Sequence, residues 1–328
     1  MKALVLGGSG LIGNAIARDL IRHGHQVSVV SRRAERPANL VNLDVRYISG
    51  DIDNTDELDR WIRDQDLVVD AAAPYALNLF HAETAAERRP LAHAKKRTQS
   101  LLSSLTRHGV RLAYVSTLTI RKSSKSNSLS ALQSQFVQRL QPYFAIKELI
   151  EEHIFKASRD GLRVIVVRPS ACFGPWDSKP RHQCWVPALL RGEIPVALEH
   201  RLNVIDTRDL AGVLVAALEQ ERYGEPISVT GHNTTVRELF SLVCDLAGVQ
   251  CPRWSVPAAF GLVPALWAEL TWAVIDRPSP LPALVPMLLC EQEWVEPESA
   301  QLELAAAPRP LTETARDTIE WYREIGYC

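Results

Sequence analysis

Tyr143 and Lys147 lie four positions apart within residues 140–155, a stretch that reads as a helix opening at Pro142 and stopping before Gly161. At that spacing the two side chains stand one above the other on one helix face. A phenol ordinarily titrates near pH ~10. An ammonium beside it stabilises the phenolate, giving a group able to exchange a proton with a substrate oxygen nearer neutral pH. Upstream, the apolar run Arg111–Val115 delivers two hydroxyls, Ser116 and Thr117, at the carboxyl end of an expected strand. Ligands of open parallel sheets bind at such ends. Tyr-x-x-x-Lys arises by chance in many helices, so its meaning depends on the elements that would position it.

Those elements begin at the first strand, Lys2–Leu6, which runs into Gly7, Gly10 and Gly13 and then into a helical pattern ended by Gly24. A second strand follows at residues 25–30. Strand, glycine turn, helix and strand within about thirty residues form a dinucleotide-binding unit. Its turn, Gly7, Gly10, Leu11, Ile12 and Gly13, would cradle a pyrophosphate against the helix N-terminus. After the second strand stand Arg32 and Arg33, with no carboxylate. Forked guanidinium groups suit a 2′-phosphate, so NADP is expected over NAD. Asp51 and Ile52 follow a third strand, Val45–Ser49, where the acid could meet the adenine amino group. A fourth strand, residues 66–73, ends in Ala72 and Ala73, small enough for a cofactor to lie close.

The formal charge of -1 gives no electrostatic reason to expect nucleic acid or an anionic membrane as partner. The six cysteines show no metal-ligand spacing, so no metal is expected and the thiols read as reduced. The first strand begins at residue 2, which leaves no room for a signal peptide and points to the cytoplasm.

With these pieces placed, the chain resembles an extended short-chain dehydrogenase/reductase over nearly its whole length. The landmarks are the glycine turn, Ser116 with Thr117, Tyr143 with Lys147, residues 168–175 (Arg-Pro-Ser-Ala-Cys-Phe-Gly-Pro), residues 203–209 and the closing residues 318–326. Residues 174–177, 191–195 and 308–321 are most similar to the branch holding dihydroflavonol reductases, 3β-hydroxysteroid dehydrogenases and hopanoid-associated epimerase-like proteins. The resemblance implies that Tyr143 is the general acid/base and that Lys147 holds the nicotinamide ribose while lowering the tyrosine pKa. It implies that Thr117, with Ser116 as second choice, hydrogen-bonds the reacting oxygen, and that Pro169 lies beside the cofactor. Two departures stand out. Ala94 and Arg97 replace an Asn and a Gly common before the fifth strand, leaving His93 as the substitute in a proton path. Ala171 replaces the Asn of Arg-Pro-x-Asn, which weakens a nucleotide-sugar substrate.

The expected fold is α/β, a Rossmann-type doubly wound parallel sheet with a smaller, mostly helical C-terminal substrate domain. The first would span residues 1–170 with a return at 203–236, and the second residues 171–202 and 237–328. Residues 123–128 read as a lid or a solvated loop. Residues 256–275 are the most apolar stretch; Pro257, Pro264 and Glu269 interrupt it, so a membrane-spanning helix is not expected. Packing in the core or over a substrate is favoured there above a membrane- or partner-facing surface. The expected activity is an NADP(H)-dependent oxidoreductase acting on a small molecule, with a homodimer left open. A nucleotide-sugar epimerase or dehydratase, and a nucleotide-sensing protein without turnover, are the alternatives.

Overall fold

The computed structural model describes residues 1–72, 89–119, 142–179, 184–279, 281–304 and 307–328. Strand β1 (Lys2–Leu6) is buried along Ala3, Leu4, Val5 and Leu6 without alternation, the pattern of a strand covered on both faces. In chain order follow α1 (Leu11–Arg22), β2 (Gln26–Ser31), β3 (Val45–Ser49), α2 (Thr55–Ile62), β4 (Leu67–Asp70), α3 (Pro90–His108), β5 (Arg111–Val115), α4 (Pro142–Arg159) and β6 (Val164–Pro169). Beyond these lie β7 (Ala171–Phe173), α5 (Trp185–Leu190), β8 (Val196–Glu199), β9 (Arg201–Asp206), α6 (Thr207–Glu219) and β10 (Pro226–Val229).

Seven parallel strands form the central sheet in the order β10-β6-β5-β4-β1-β2-β3. The order reverses between β1 and β4, and that switch point opens a crevice at the carboxyl ends of the strands. Ala3 and Val5 face a core shared with Ile16 and Leu20 of α1 and Leu210 and Leu214 of α6. Leu4 and Leu6 face the other side, against Leu58 of α2, Leu105 of α3 and Ile146 and Ile150 of α4. The sheet is therefore doubly wound.

The rest comprises β11 (His232–Thr235), α7 (Val236–Ala247), β12 (Trp254–Pro257), α8 (Ala258–Val274), α9 (Leu284–Cys290), α10 (Ser299–Leu304) and α11 (Leu311–Glu324). Two small sheets, β11-β9-β7 and β12-β8, accompany these helices. The Thr235 hydroxyl caps α7 by accepting from the Glu238 N–H, and the Glu238 carboxylate accepts from the Thr235 N–H in return. Helix α11 packs on α7 and is tied down through Asp206 at the end of β9. Thr314 donates to that carboxylate at 2.6 Å, and Arg208 bridges Asp206 and Asp317. Arg309 adds a bond to Asp209 at 3.0 Å.

Two expectations are corrected here. Cys244 and Cys251 are paired as a disulfide rather than left as thiols, because the turn through left-handed Gly248 brings their Cα atoms to 5.7 Å. Of the two packings expected for the apolar stretch 256–275, the core is overturned: α8 touches the protein along Ala258, Gly261, Ala265 and Glu269 and exposes most of its remaining surface. Among the described residues no helix is long and apolar enough to cross a membrane.

Candidate active site

The glycine turn joins β1 to α1 at the switch point. Gly7 has φ +79, and a Cβ there would lie 2.9 Å from the Ala71 carbonyl oxygen. A Cβ on Gly13 would lie 2.3 Å from the Gly7 carbonyl oxygen. Only glycine admits this closeness, which draws the first turn of α1 onto the loop. Leu11 and Ile12 open α1 behind Gly10, which contributes no capping side chain, and the first turn carries no acid. The bare N-terminal N–H groups and the tight cradle fit a phosphate-bearing cofactor.

Residues not singled out in the sequence brace this loop. Asn14 donates to the Gly8 and Asn39 carbonyls, and Asn39 donates to those of Ser9 at 3.0 Å and Trp176 at 2.7 Å. Arg18 donates to Asn14 and Asn39 and lies 4.1 Å from the centre of the Trp176 ring. Ser178 donates to Ser9. The segment after β7 thus reaches back onto the cofactor loop.

Arg32 and Arg33 are exposed beyond β2, and Arg33 donates to the Ser178 carbonyl at 2.8 Å. Asp51 is exposed and accepts the Asp53 N–H, while Ile52 packs against the core. Ala72 donates its N–H to Asp70; Ala73 and the loop at residues 123–128 lie outside the described residues. His93 lies 2.9 Å from Asp53.

At the end of β5, Ser116 is buried with its N–H on Val167, and its hydroxyl has no partner among the described residues. Thr117 is half-buried, its hydroxyl 3.0 Å from that of Thr119. Leu118 donates to the Pro169 carbonyl at 2.9 Å, joining the ends of β5 and β6. The Ser170 hydroxyl beside it is also buried without a partner among the described residues. Two unpaired hydroxyls at neighbouring strand ends are costly unless a ligand satisfies them.

Helix α4 begins at Pro142, with Tyr143 half-buried in its first turn and stacked edge-on against Phe144. One turn on, Lys147 is buried, its Nζ donating to the Val115 carbonyl at 2.9 Å and lying 5.1 Å from the centre of the Tyr114 ring. Burial lowers its ammonium to about 8, with Asp70 and Glu151 acting in the opposite direction. Below it is an ion pair that sequence reasoning missed: Arg97 of α3 donates to Asp70 of β4 at 2.7 Å, each side chain 3% exposed. Burial, the largest single effect, opposes the guanidinium charge, but Asp70, with Asp53 and Tyr114, outweighs it and raises the pKa. The sequence signal was Arg97 standing where a glycine is usual.

Residues 3–230 match the NAD dependent epimerase/dehydratase family. The chain belongs to that family. It is 25% identical over 98% of its length, and 95% of the other chain, to a Synechocystis protein provisionally named dihydroflavonol 4-reductase. It is 26% identical to the 2-alkyl-3-oxoalkanoate reductase of Stenotrophomonas maltophilia, over 94% of this chain and 95% of that one. The fold also matches a Thermus thermophilus UDP-glucose 4-epimerase solved with NAD, at TM-score 0.71 and 19% identity, covering 98% and 99% of the two chains. The family member described here is an oxidoreductase of the extended short-chain type.

Proposed function

We propose that this chain is an NADP(H)-dependent oxidoreductase that interconverts a carbonyl and a secondary alcohol on a small apolar substrate, with Tyr143 as the acid/base. The observation that carries the reading is the buried Lys147 one turn after Tyr143, beside the carboxyl end of β5 where Ser116 and Thr117 stand. The bound nicotinamide would supply or accept the hydride. Tyr143 exchanges the proton on the substrate oxygen, and Thr117, with Ser116 in reserve, holds that oxygen. Lys147 favours the phenolate and meets the nicotinamide ribose. Two relatives named as reductases, one of a dihydroflavonol and one of a 2-alkyl-3-oxoalkanoate, support a carbonyl substrate with a hydrocarbon body. The test is consumption of NADPH with bulky apolar ketones. Net oxidation of the cofactor supports the reading; cofactor left unchanged while a nucleotide sugar is converted would replace it with epimerisation, and no turnover at all would favour a sensor.

Cofactor choice rests on Arg32, the guanidinium beyond β2 that keeps no bond to the protein's own Ser178. A charge-assisted contact to the 2′-phosphate is worth about 1.5–3 kcal/mol, roughly tenfold to over a hundredfold. NADPH is therefore expected to bind more tightly than NADH in titration calorimetry, and Arg32→Ala to erase most of the difference. Equal affinities in the wild type would refute this.

The pH dependence follows from Lys147. Its folded value, about 8, lies below the ordinary 10.5, so the folded chain loses this proton first. Between those values the unfolded chain binds more protons, and this group's contribution to stability rises with pH. Turnover goes the other way, falling above about pH 8 as the ammonium beside Tyr143 disappears. A pH–rate profile should show that alkaline limb and Lys147→Arg should move it upward; a flat profile through pH 8 to 10 would contradict it.

A further inference from the structure

We propose that the exposed face of α8, continued by β12, is a docking face for the surface of an anionic lipid bilayer. A helix that is apolar all round is normally buried. Here the positions 260, 263, 267, 270 and 274 advance by three and four, so they fall on one stripe, and that stripe is open: Phe260 71%, Val263 61%, Trp267 66%, Leu270 47% and Val274 86% exposed. Trp254 on β12 and Ile275 extend it at either end, 73% and 58% exposed. The one ionisable side chain on α8, Glu269, is turned inward and accepts the Ala283 N–H at 2.6 Å. The carboxylate is thus removed from the stripe and used to pin α9 to α8.

The rim decides what covers it. Arg253 precedes the stripe and Arg277 follows it, both exposed, and Arg237 reaches Ser255 on β12; Asp276 is the exposed carboxylate among them. A parallel second copy would set Arg253 against Arg253, and an antiparallel one Arg253 against Arg277, with Asp276 offsetting only the end it shares with Arg277. Anionic headgroups instead complement those ends, each arginine strengthening binding roughly fivefold. The helix has 17 residues, about 25 Å, short of the ~30 Å of a hydrocarbon core but suited to lying flat. Indoles and guanidinium groups flanking an apolar stripe match the headgroup boundary.

The test needs neither cofactor nor substrate, so its outcome is separate from the catalytic reading. The full chain is floated on density gradients with vesicles of phosphatidylcholine plus phosphatidylglycerol, and with phosphatidylcholine alone. Wild type is expected to float with the mixed vesicles and less with the neutral ones. Phe260→Ser with Trp267→Ser should weaken binding roughly tenfold or more. Arg253→Gln with Arg277→Gln should remove the preference for anionic lipid. Unchanged thermal unfolding confirms that each variant folds, and Val263→Gln with Val274→Gln serves if the aromatic pair does not. Wild type left at the bottom with both vesicles, or apolar variants that float as well as wild type, would overturn the proposal. A dimer in sedimentation equilibrium that Phe260→Ser with Trp267→Ser dissociates would assign the face to a second copy instead.

Discussion

Tyr143→Phe is expected to lose turnover by ~10²–10⁴-fold while still binding NADPH, the usual contribution of a positioned general acid/base. The separation of effects comes from the layout. The phenol sits in the first turn of α4, whereas the proposed reading puts the phosphates at the glycine turn between β1 and α1. Lys147→Ala should damage both turnover and cofactor affinity, because in the proposed mechanism the ammonium serves the tyrosine and the ribose together. Thr117→Ala should fall between the two, losing one positioning hydrogen bond. Initial rates with a confirmed ketone, paired with NADPH titrations, give the order. Full activity in Tyr143→Phe would end the proposed mechanism.

The largest effect on stability is expected at Arg97. Removing one partner of a buried ion pair leaves the other charge uncompensated, at about 3–5 kcal/mol. Arg97→Leu should therefore lower the unfolding midpoint by roughly 5–15 °C. The double change Arg97→Leu with Asp70→Leu should recover much of that loss, since a well-packed apolar pair of similar volume is often neutral. Asp70 also accepts the Ala72 N–H at 3.0 Å, so the single variants should loosen the end of β4 at the switch point. Thermal denaturation followed by circular dichroism decides it. An Arg97→Leu midpoint equal to wild type would mean that the pair does not hold the fold.

Much of the Rossmann half was legible because its signals are local. Three strands, β1, β3 and β5, fall where their apolar runs place them. What was illegible depends on distance in the chain. Arg97 and Asp70 are 27 positions apart, and nothing in either segment announces the other. Asn39 braces the cofactor loop through backbone carbonyls, which leave no trace in the partner's side chain. The pairing of Cys244 with Cys251 needed the reversal at Gly248. The stretch 256–275 misled because hydrophobicity states a preference for leaving water, not what provides the cover. Its inward-facing Glu269 reverses the usual assignment of faces.

The ties on Asp206 order the events of synthesis. Val229 completes the central sheet, yet Thr314, which donates to the Asp206 carboxylate, lies 108 positions beyond that acid. From Val229 to Thr314 the chain runs 85 residues, which at about 5–20 residues per second takes a ribosome roughly 4–17 s. During that interval the nascent chain carries a finished sheet while Val243 and Cys244 wait for the helix that covers them. Until α11 arrives, that apolar face is open to chaperone capture, and docking of α11 closes it.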